Sequence, residues 1–268
     1  MRYEYGFIGT GNMGSALSTG VVKKVDAASV AVCDHSAEKA QALADNIGVK
    51  VTTGEDIAEN SNFVVLAVKP QMLEKAMAPL QDALKSNGSV VLVTMAAGTR
   101  ISTVAGYSGG DYPIIRIMPN TPAAVGAGTI LVTRNELVSD EVFQKFMDDF
   151  SAAGVIVPIE EGKLEAAAVI SGCGPAFVYM FIDAMAKAGE KLGIDYETGA
   201  KLAESTTRGT ALLSELSDES LETLRIRVCS PGGTTIEGVN SLFDSDLDGV
   251  VRKALQASYD RTLELLGD

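Results

Sequence analysis

A short apolar run, Tyr5-Gly6-Phe7-Ile8, leads straight into Gly9-Thr10-Gly11-Asn12-Met13-Gly14. Ala16, Leu17, Val21 and Val22 then recur at helical spacing. No other stretch narrows the folds open to this chain so much. A strand that turns on three spaced glycines directly into a helix opens a βαβ unit. The first glycine permits the tight turn, the second lets a ligand approach the backbone, and the third lets helix and strand pack closely. The helix beyond presents free N–H groups and a partial positive charge, which suit a pyrophosphate. A second strand, Ser29-Val30-Ala31-Val32-Cys33, ends at Asp34, 20 residues after Gly14. That is where an acid that binds a ribose belongs. The stretch therefore reads as a dinucleotide site, with Ile8, Gly9, Thr10, Gly11, Asn12, Met13 and Asp34 in contact.

The alternation continues. A helix over 37–47 is closed by Gly48, and Lys50-Val51 is a short strand. Apolar runs at 63–68 and 89–94 read as central parallel strands, covered on both faces. The ends of such strands line the ligand crevice of a doubly wound sheet. Ala67, Val68, Lys69 and Pro70, with Met95, Ala96 and Ala97, are therefore expected along the dinucleotide, although Lys69 also reads as a surface lysine. Strands at 113–118, 126–132 and 155–159, with a helix over 140–150, extend the sheet. Arg116 interrupts an apolar run and demands a partner. An ion pair is the favoured reading and a substrate contact the other. Asp34 favours NAD and repels a 2′-phosphate, while His35 and Lys39 offset it. The choice between NADH and NADPH stays open.

After Pro158 the strands stop. This predicts a dinucleotide-binding domain over 1–160 and a helical domain over 161–268. Helices are expected at 164–170, 177–192, 198–214, 218–228, 231–242 and 247–266, with a break at Ser171-Gly172-Cys173-Gly174-Pro175-Ala176. The helix at 177–192 has a thin polar side and should be buried on most sides. In a domain of this size that argues for packing on a second subunit, with a monomeric bundle as the alternative. Within the domain, Cys229-Ser230-Pro231-Gly232-Gly233-Thr234-Thr235 feeds a helix N-terminus and adds hydroxyls. It reads as a carboxylate site or as a plain helix cap.

Composition excludes several functions. The net charge of −13 speaks against a nucleic-acid partner. His35 is the only histidine, so histidine-built metal or haem sites are not expected. Cys33, Cys173 and Cys229 lie far apart with no CxxC pair, which fits a reducing cytoplasm. The N-terminus carries no basic and apolar leader, and no uninterrupted apolar stretch of about 18 residues is present. A cytoplasmic chain without a membrane span is expected.

The chain as a whole resembles the pyrroline-5-carboxylate reductase family. The marks are Phe7-Ile8-Gly9-Thr10-Gly11-Asn12-Met13-Gly14, Ala67-Val68-Lys69-Pro70, Met118-Pro119-Asn120-Thr121-Pro122, the 171–176 break and, above all, Val228-Cys229-Ser230-Pro231-Gly232-Gly233-Thr234-Thr235-Ile236-Glu237-Gly238. The resemblance implies a Rossmann-type doubly wound parallel sheet followed by an all-helical dimerisation domain. It implies reduction of 1-pyrroline-5-carboxylate to L-proline by NADPH or NADH, in a homodimer often built further into a decamer of five dimers. Carried over, Ser230, Gly232, Gly233 and Thr234 hold the substrate carboxylate and Thr235 faces the imine. An acid at Asp218 or Glu219 closes the site from the partner chain. Arg227, Cys229 and His35 depart from the usual pattern, and they leave open the role of Arg227 and the partner of a 2′-phosphate.

Overall fold

The computed structural model describes residues 2–266. β1 (Tyr3–Ile8) leads through the glycine loop to α1 (Asn12–Val21), β2 (Val30–Cys33), α2 (Ala37–Ile47) and the two-residue β3 (Lys50–Val51). α3 (Gly54–Asn60) returns the chain to β4 (Ser61–Leu66). α4 (Leu73–Met77) and α5 (Gln81–Asn87) precede β5 (Val91–Thr94), and α6 (Ile101–Ser108) precedes β6 (Ile114–Pro119). β7 (Gly128–Arg134), α7 (Asp140–Phe150) and β8 (Gly154–Pro158) complete a sheet of order β3-β2-β1-β4-β5-β6-β7-β8. The connections run outward in opposite directions from β1 and β4, so the C-terminal ends of these two strands open a crevice.

Strand residues alternate between two cores. Phe7, Val65, Val93 and Ile117 pack with Leu17, Phe146 and Phe150 on one face. Ile8, Leu66, Leu92 and Ile114 pack with Ile57, Met77 and Val104 on the other. Burial on both sides explains why these strands read as continuous apolar runs. On the first face Tyr5 stacks on Phe63 with centroids 4.8 Å apart, and its hydroxyl donates to Asp149 at 2.7 Å. Burial, reinforced by that carboxylate, raises the phenol well above its ordinary pKa.

The sheet departs from the sequence expectation at one seam. β7 runs antiparallel to β6, and β8 then follows β7 in parallel. The connection 120–127 is too short to carry a parallel crossover, which needs about a dozen residues or more. A hairpin-like return is the geometry left to it.

The described residues fall into two compact units. The first runs to Gly172 and includes the C-terminal stretch from Tyr259; the second spans 173–258. Strands give way to helices near residue 160, but the packing boundary lies later. α8 (Glu161–Ser171) stays with the sheet because Leu164 is fully buried and two of its acids reach β6. Arg116 Nη2 donates to Glu165 at 2.5 Å, and Nη1 lies 3.4 Å from Glu161. Glu161 also accepts from the Ile101 N–H at 2.7 Å, tying α6 to the same knot.

The second unit holds α9 (Gly174–Lys191), α10 (Tyr196–Glu215), α11 (Leu221–Val228), α12 (Thr234–Asp244) and most of α13 (Leu247–Leu266). α9 and α10 cross closely: a Cβ on Gly199 would lie 3.1 Å from the Ala186 carbonyl. Among its described residues only Ala186, Gly199, Ala203 and Gly249 are buried. Tyr179, Met180, Phe181, Leu213 and Leu216 are exposed. By length and composition alone, the stretch Glu161–Lys191, which comprises α8 and α9, is apolar enough to cross a membrane, with a few charges interrupting it.

Candidate active site

The glycine loop follows from sterics. Gly9 has φ +109°, and a Cβ there would fall 2.4 Å from the Ala67 carbonyl oxygen. A Cβ on Gly14 would fall 2.2 Å from the Gly9 carbonyl, so only glycine lets α1 lie against the end of β1. Gly11 differs: a Cβ there would meet nothing within 4 Å. The outer side of the loop is thus an open cradle, and no side chain among the described residues caps α1 at Gly11. The first N–H groups of the helix face it unmet by intrahelical bonds. This is the arrangement that fits a dinucleotide pyrophosphate.

The other predicted cofactor residues gather on the same edge. Ala67 donates to the Ile8 carbonyl at 2.8 Å, and Gly9 to that of Cys33 at 2.8 Å, so the ends of β1, β2 and β4 are laced together. Thr10 is buried, Asn12 is exposed and Met13 is half-buried. Val68 is half-buried, while Lys69 and Pro70 are exposed where a turn of 3₁₀ helix begins. Met95, Ala96 and Ala97 follow β5, with Ala96 buried and Ala97 exposed.

Asp34 stands at the expected place, directly after β2. Its Oδ2 accepts from the Thr10 N–H at 2.6 Å and from the Thr10 hydroxyl at 3.1 Å. Its Oδ1 accepts from the Ser36 N–H at 3.0 Å and lies 2.7 Å from His35 Nδ1. Burial pushes this carboxyl up, but the hydrogen bonds from Ser36 and Thr10, with His35, outweigh it and hold it below the usual carboxylate range.

Asn120, in the proline-flanked loop after β6, was not singled out by sequence reasoning. It accepts from the Thr129 N–H at 2.8 Å and donates to the Ser171 carbonyl at 2.9 Å. One side chain therefore joins β7 to the last turn of α8. Its only sequence signal is a polar residue between two prolines at a strand end.

In the helical unit, α12 begins at Thr234, not at Pro231 as predicted. Gly232 has φ +69°, which no helix accommodates, and the Gly233 N–H donates to the Ser230 carbonyl at 3.0 Å. Proline followed by a positive-φ glycine makes a type II turn. Ser230, Gly232 and Thr234 are exposed and Gly233, half-buried, caps α12 without a side-chain bond. The turn thus presents N–H groups and hydroxyls at a helix N-terminus, which suit a carboxylate.

Thr235, on the first turn of α12, is exposed and lines an open cavity of about 780 Å³. Glu219, Arg227, Cys229, Phe181 and Leu213 line the same cavity. Glu219 and Arg227 pair at 2.5 Å within one chain. Asp218 is exposed beside them. α11 starts at Leu221 and not at 218, because Ser220 caps it by accepting from the Thr223 N–H at 3.1 Å.

Comparison with known proteins identifies the family. Residues 161–265 match the family described as pyrroline-5-carboxylate reductase dimerisation, and residues 4–98 match that described as NADP oxidoreductase coenzyme F420-dependent. A pyrroline-5-carboxylate reductase of Escherichia coli is 34% identical, over 99% of this chain and 99% of its own. One from Aquifex aeolicus is 33% identical, over 99% and 98%. Among solved structures, a pyrroline-5-carboxylate reductase from Coxiella burnetii superposes with a TM-score of 0.93 at 31% identity, covering 99% of each chain. Plasmodium falciparum pyrroline carboxylate reductase, with NADP bound, gives 0.85 at 28% identity, covering 98% of each.

Proposed function

Because the chain belongs to the pyrroline-5-carboxylate reductase family, we propose that the crevice on the sheet and the turn at 230–233 serve the two halves of one reaction, reduction of 1-pyrroline-5-carboxylate to L-proline. The protein is an NAD(P)H-dependent oxidoreductase of proline biosynthesis. A reduced nicotinamide dinucleotide, when bound, supplies the hydride for the imine carbon, and a proton from solvent resides on the ring nitrogen.

The residues bind and orient. Gly9, Thr10, Gly11, Asn12 and Met13 form the cradle for the pyrophosphate, with Ile8, Asp34, Ala67, Val68, Lys69, Pro70, Met95, Ala96 and Ala97 around it. Ser230, Gly232, Gly233 and Thr234 hold the substrate carboxylate through N–H groups and hydroxyls. Thr235 hydrogen-bonds the imine nitrogen. A neutral hydroxyl is a weak acid, and a protonated imine is already electrophilic, so alignment and exclusion of water account for most of the rate. The observation that carries this reading is the type II turn opening an uncapped α12, one residue before Thr235.

The helical unit serves assembly into a homo-oligomer. Our reading of the finer state is an intertwined dimer, with Glu219 closing the site of a second copy, and a decamer of five dimers. The apolar face of α9 then meets protein and not lipid, and the enzyme works in the cytoplasm with neither membrane nor nucleic acid as partner. A dehydrogenase that uses a helix lysine as its acid is the rival reading. Lys187 and Lys191 are the positions for it, and both read as lysines covering a helix surface; Asp183 engages Lys187 at 2.6 Å.

The test is loss of reduced-nicotinamide absorbance with 1-pyrroline-5-carboxylate, using NADH and NADPH separately. Wild type is expected to turn over, and the S230A/T235A double variant to lose at least about a hundredfold in kcat/KM, as two hydrogen bonds to charged groups predict. No turnover by a folded, cofactor-binding wild type would sink the substrate assignment.

A further inference from the structure

The loop 95–100 joins β5 to α6 and carries Met95, Ala96 and Ala97, three of the residues proposed for the cofactor. It is held at both ends. At its start the Thr94 hydroxyl accepts from the Ala96 N–H at 3.3 Å, and the Ala96 carbonyl accepts from the Thr99 N–H at 3.3 Å. Between these two residues Gly98, at φ +66°, gives the backbone a joint. At its end the loop enters α6 through Arg100, and an arginine side chain has no acceptor with which to cap a helix. The acceptor comes from another helix: Glu161 Oε1 takes the Ile101 N–H at 2.7 Å. Glu161 is the first residue of α8, so its charge stands at the positive ends of α8 and α6 together. Behind it, Arg116 Nη1 lies 3.4 Å from the same oxygen, while Glu165 holds Nη2 at 2.5 Å. Arg116 is fully buried and its register partner on β5 is Thr94, so the knot is rooted beside the strand end from which the loop leaves.

We propose that Glu161 is a positioning residue for the reaction: by capping α6 from outside, it fixes the 95–100 loop so that Met95, Ala96 and Ala97 meet the dinucleotide in one arrangement. This rests on the proposed place of those three residues along the dinucleotide. It goes beyond that reading by putting a determinant of cofactor handling on α8, 60 residues along the chain from the amide it holds. Ala96 and Thr99 are buried whereas Ala97 is exposed, so the fold grips one side of the loop and leaves the other to a ligand. Without the Ile101 bond the joint at Gly98 has no fixed end. A loop that samples several arrangements binds the cofactor only in the fraction that fits. The two acids beside Arg116 then have separable tasks. Glu165, the more buried of the two and the one with the shorter bond, neutralises a sealed charge. Glu161 sets the loop.

The test compares E161A, E161Q and E165A of the full-length protein in steady-state reduction of 1-pyrroline-5-carboxylate, with a urea titration of each. E161A is expected to raise KM for the reduced dinucleotide about tenfold, as loss of one charge-assisted hydrogen bond predicts, while KM for the imine moves by less than about twofold. E161Q keeps a side-chain carbonyl that accepts from Ile101 but brings no charge to Arg116. It is expected to restore the cofactor KM to within about twofold of wild type. E165A is expected to lose more stability than E161A and yet to keep the wild-type cofactor KM. The Ile101 amide proton should move upfield in the ¹H–¹⁵N spectrum of E161A and return in E161Q. Calorimetric titration with the oxidised dinucleotide is expected to repeat the tenfold loss in E161A, so the comparison survives failure of the substrate assignment. A cofactor KM that follows stability across the three variants, one that E161Q does not restore, or one unchanged in E161A would overturn the proposal. A97F separates that failure from failure of the reading beneath it. If A97F leaves cofactor binding intact, the loop does not meet the dinucleotide and both fall; if A97F blocks the cofactor while E161A is without effect, only the part given to Glu161 falls.

Discussion

The two units of this chain are built of similarly apolar sequence but stand in opposite relation to water. In the sheet-bearing unit, strands bury Phe7, Val65, Leu92 and Ile117 completely or nearly so, and even Arg116 is sealed in with its acids. In the helical unit, small residues at one helix crossing are almost all that is buried, while Phe181 and Leu213 are half exposed or more. The first unit satisfies its apolar surface within one chain. The second carries surface of the kind that marks an interface between chains. The same hydrophobic content thus encodes a self-sufficient core in one place and an unfinished one in the other.

The comparison can be broken most sharply at the helical face. Each Phe or Leu withdrawn from water contributes about 2 kcal/mol, and a dimer withdraws each residue twice. The F181E/L213E variant is therefore expected to lose about 8 kcal/mol of association free energy and to sediment as a monomer at micromolar concentration. Retention of the assembled state would show that this face is not the interface. In the sheet unit, Phe146→Ala is expected to cost about 3–5 kcal/mol of unfolding free energy. Urea titration should find that loss at every protein concentration, because the cavity lies within one chain.

Glu165→Ala leaves the guanidinium of Arg116 with only the longer Glu161 contact. A cost of about 3 kcal/mol is expected, and amide exchange should show α8 opening earlier than the strands. The smallest effect concerns Cys33. Burial, with the nearby Asp34 and Glu55 charges, pushes its thiol up to about 11. Below about pH 8.5 an ordinary thiol and this one are both protonated, so stability does not depend on it. Above that value the unfolded chain gives up the proton first, and the folded state loses stability as pH rises toward 11. At pH 8, peptide mapping should find Cys33 alkylated about a hundredfold more slowly than an unfolded control.

Much of this molecule is legible in its sequence where one physical rule acts alone. The glycine loop, the helices α2 and α7 and the doubly covered strands can all be read from spacing and apolarity. Features that depend on partners distant in the chain cannot. Arg116 announces a need for counter-charge, but Glu161 and Glu165 lie some 45 and 49 residues later. Their i, i+4 spacing on one helix face was the available signal. The position of Asp34 is predicted by its distance from the glycines, whereas its bonds to Thr10 and Ser36 depend on side-chain rotation that spacing does not encode. The reversal at β7 was readable in principle, from a connection too short to cross over. The turn at Pro231-Gly232 reads as helix on apolar periodicity, and only the positive φ that glycine permits shifts the start to Thr234.

The exposed face of α9 and α10 has a consequence for mixtures of alleles. In the assembly proposed above, a copy that keeps Phe181 and Leu213 but carries a fault at Thr235 still pairs. Produced beside the intact protein, it would enter the same assemblies at the rate of its abundance and take intact copies with it. A copy that loses the face would instead be left out and degraded. Faults in the turn are thus expected to behave as dominant, and faults in the face as recessive.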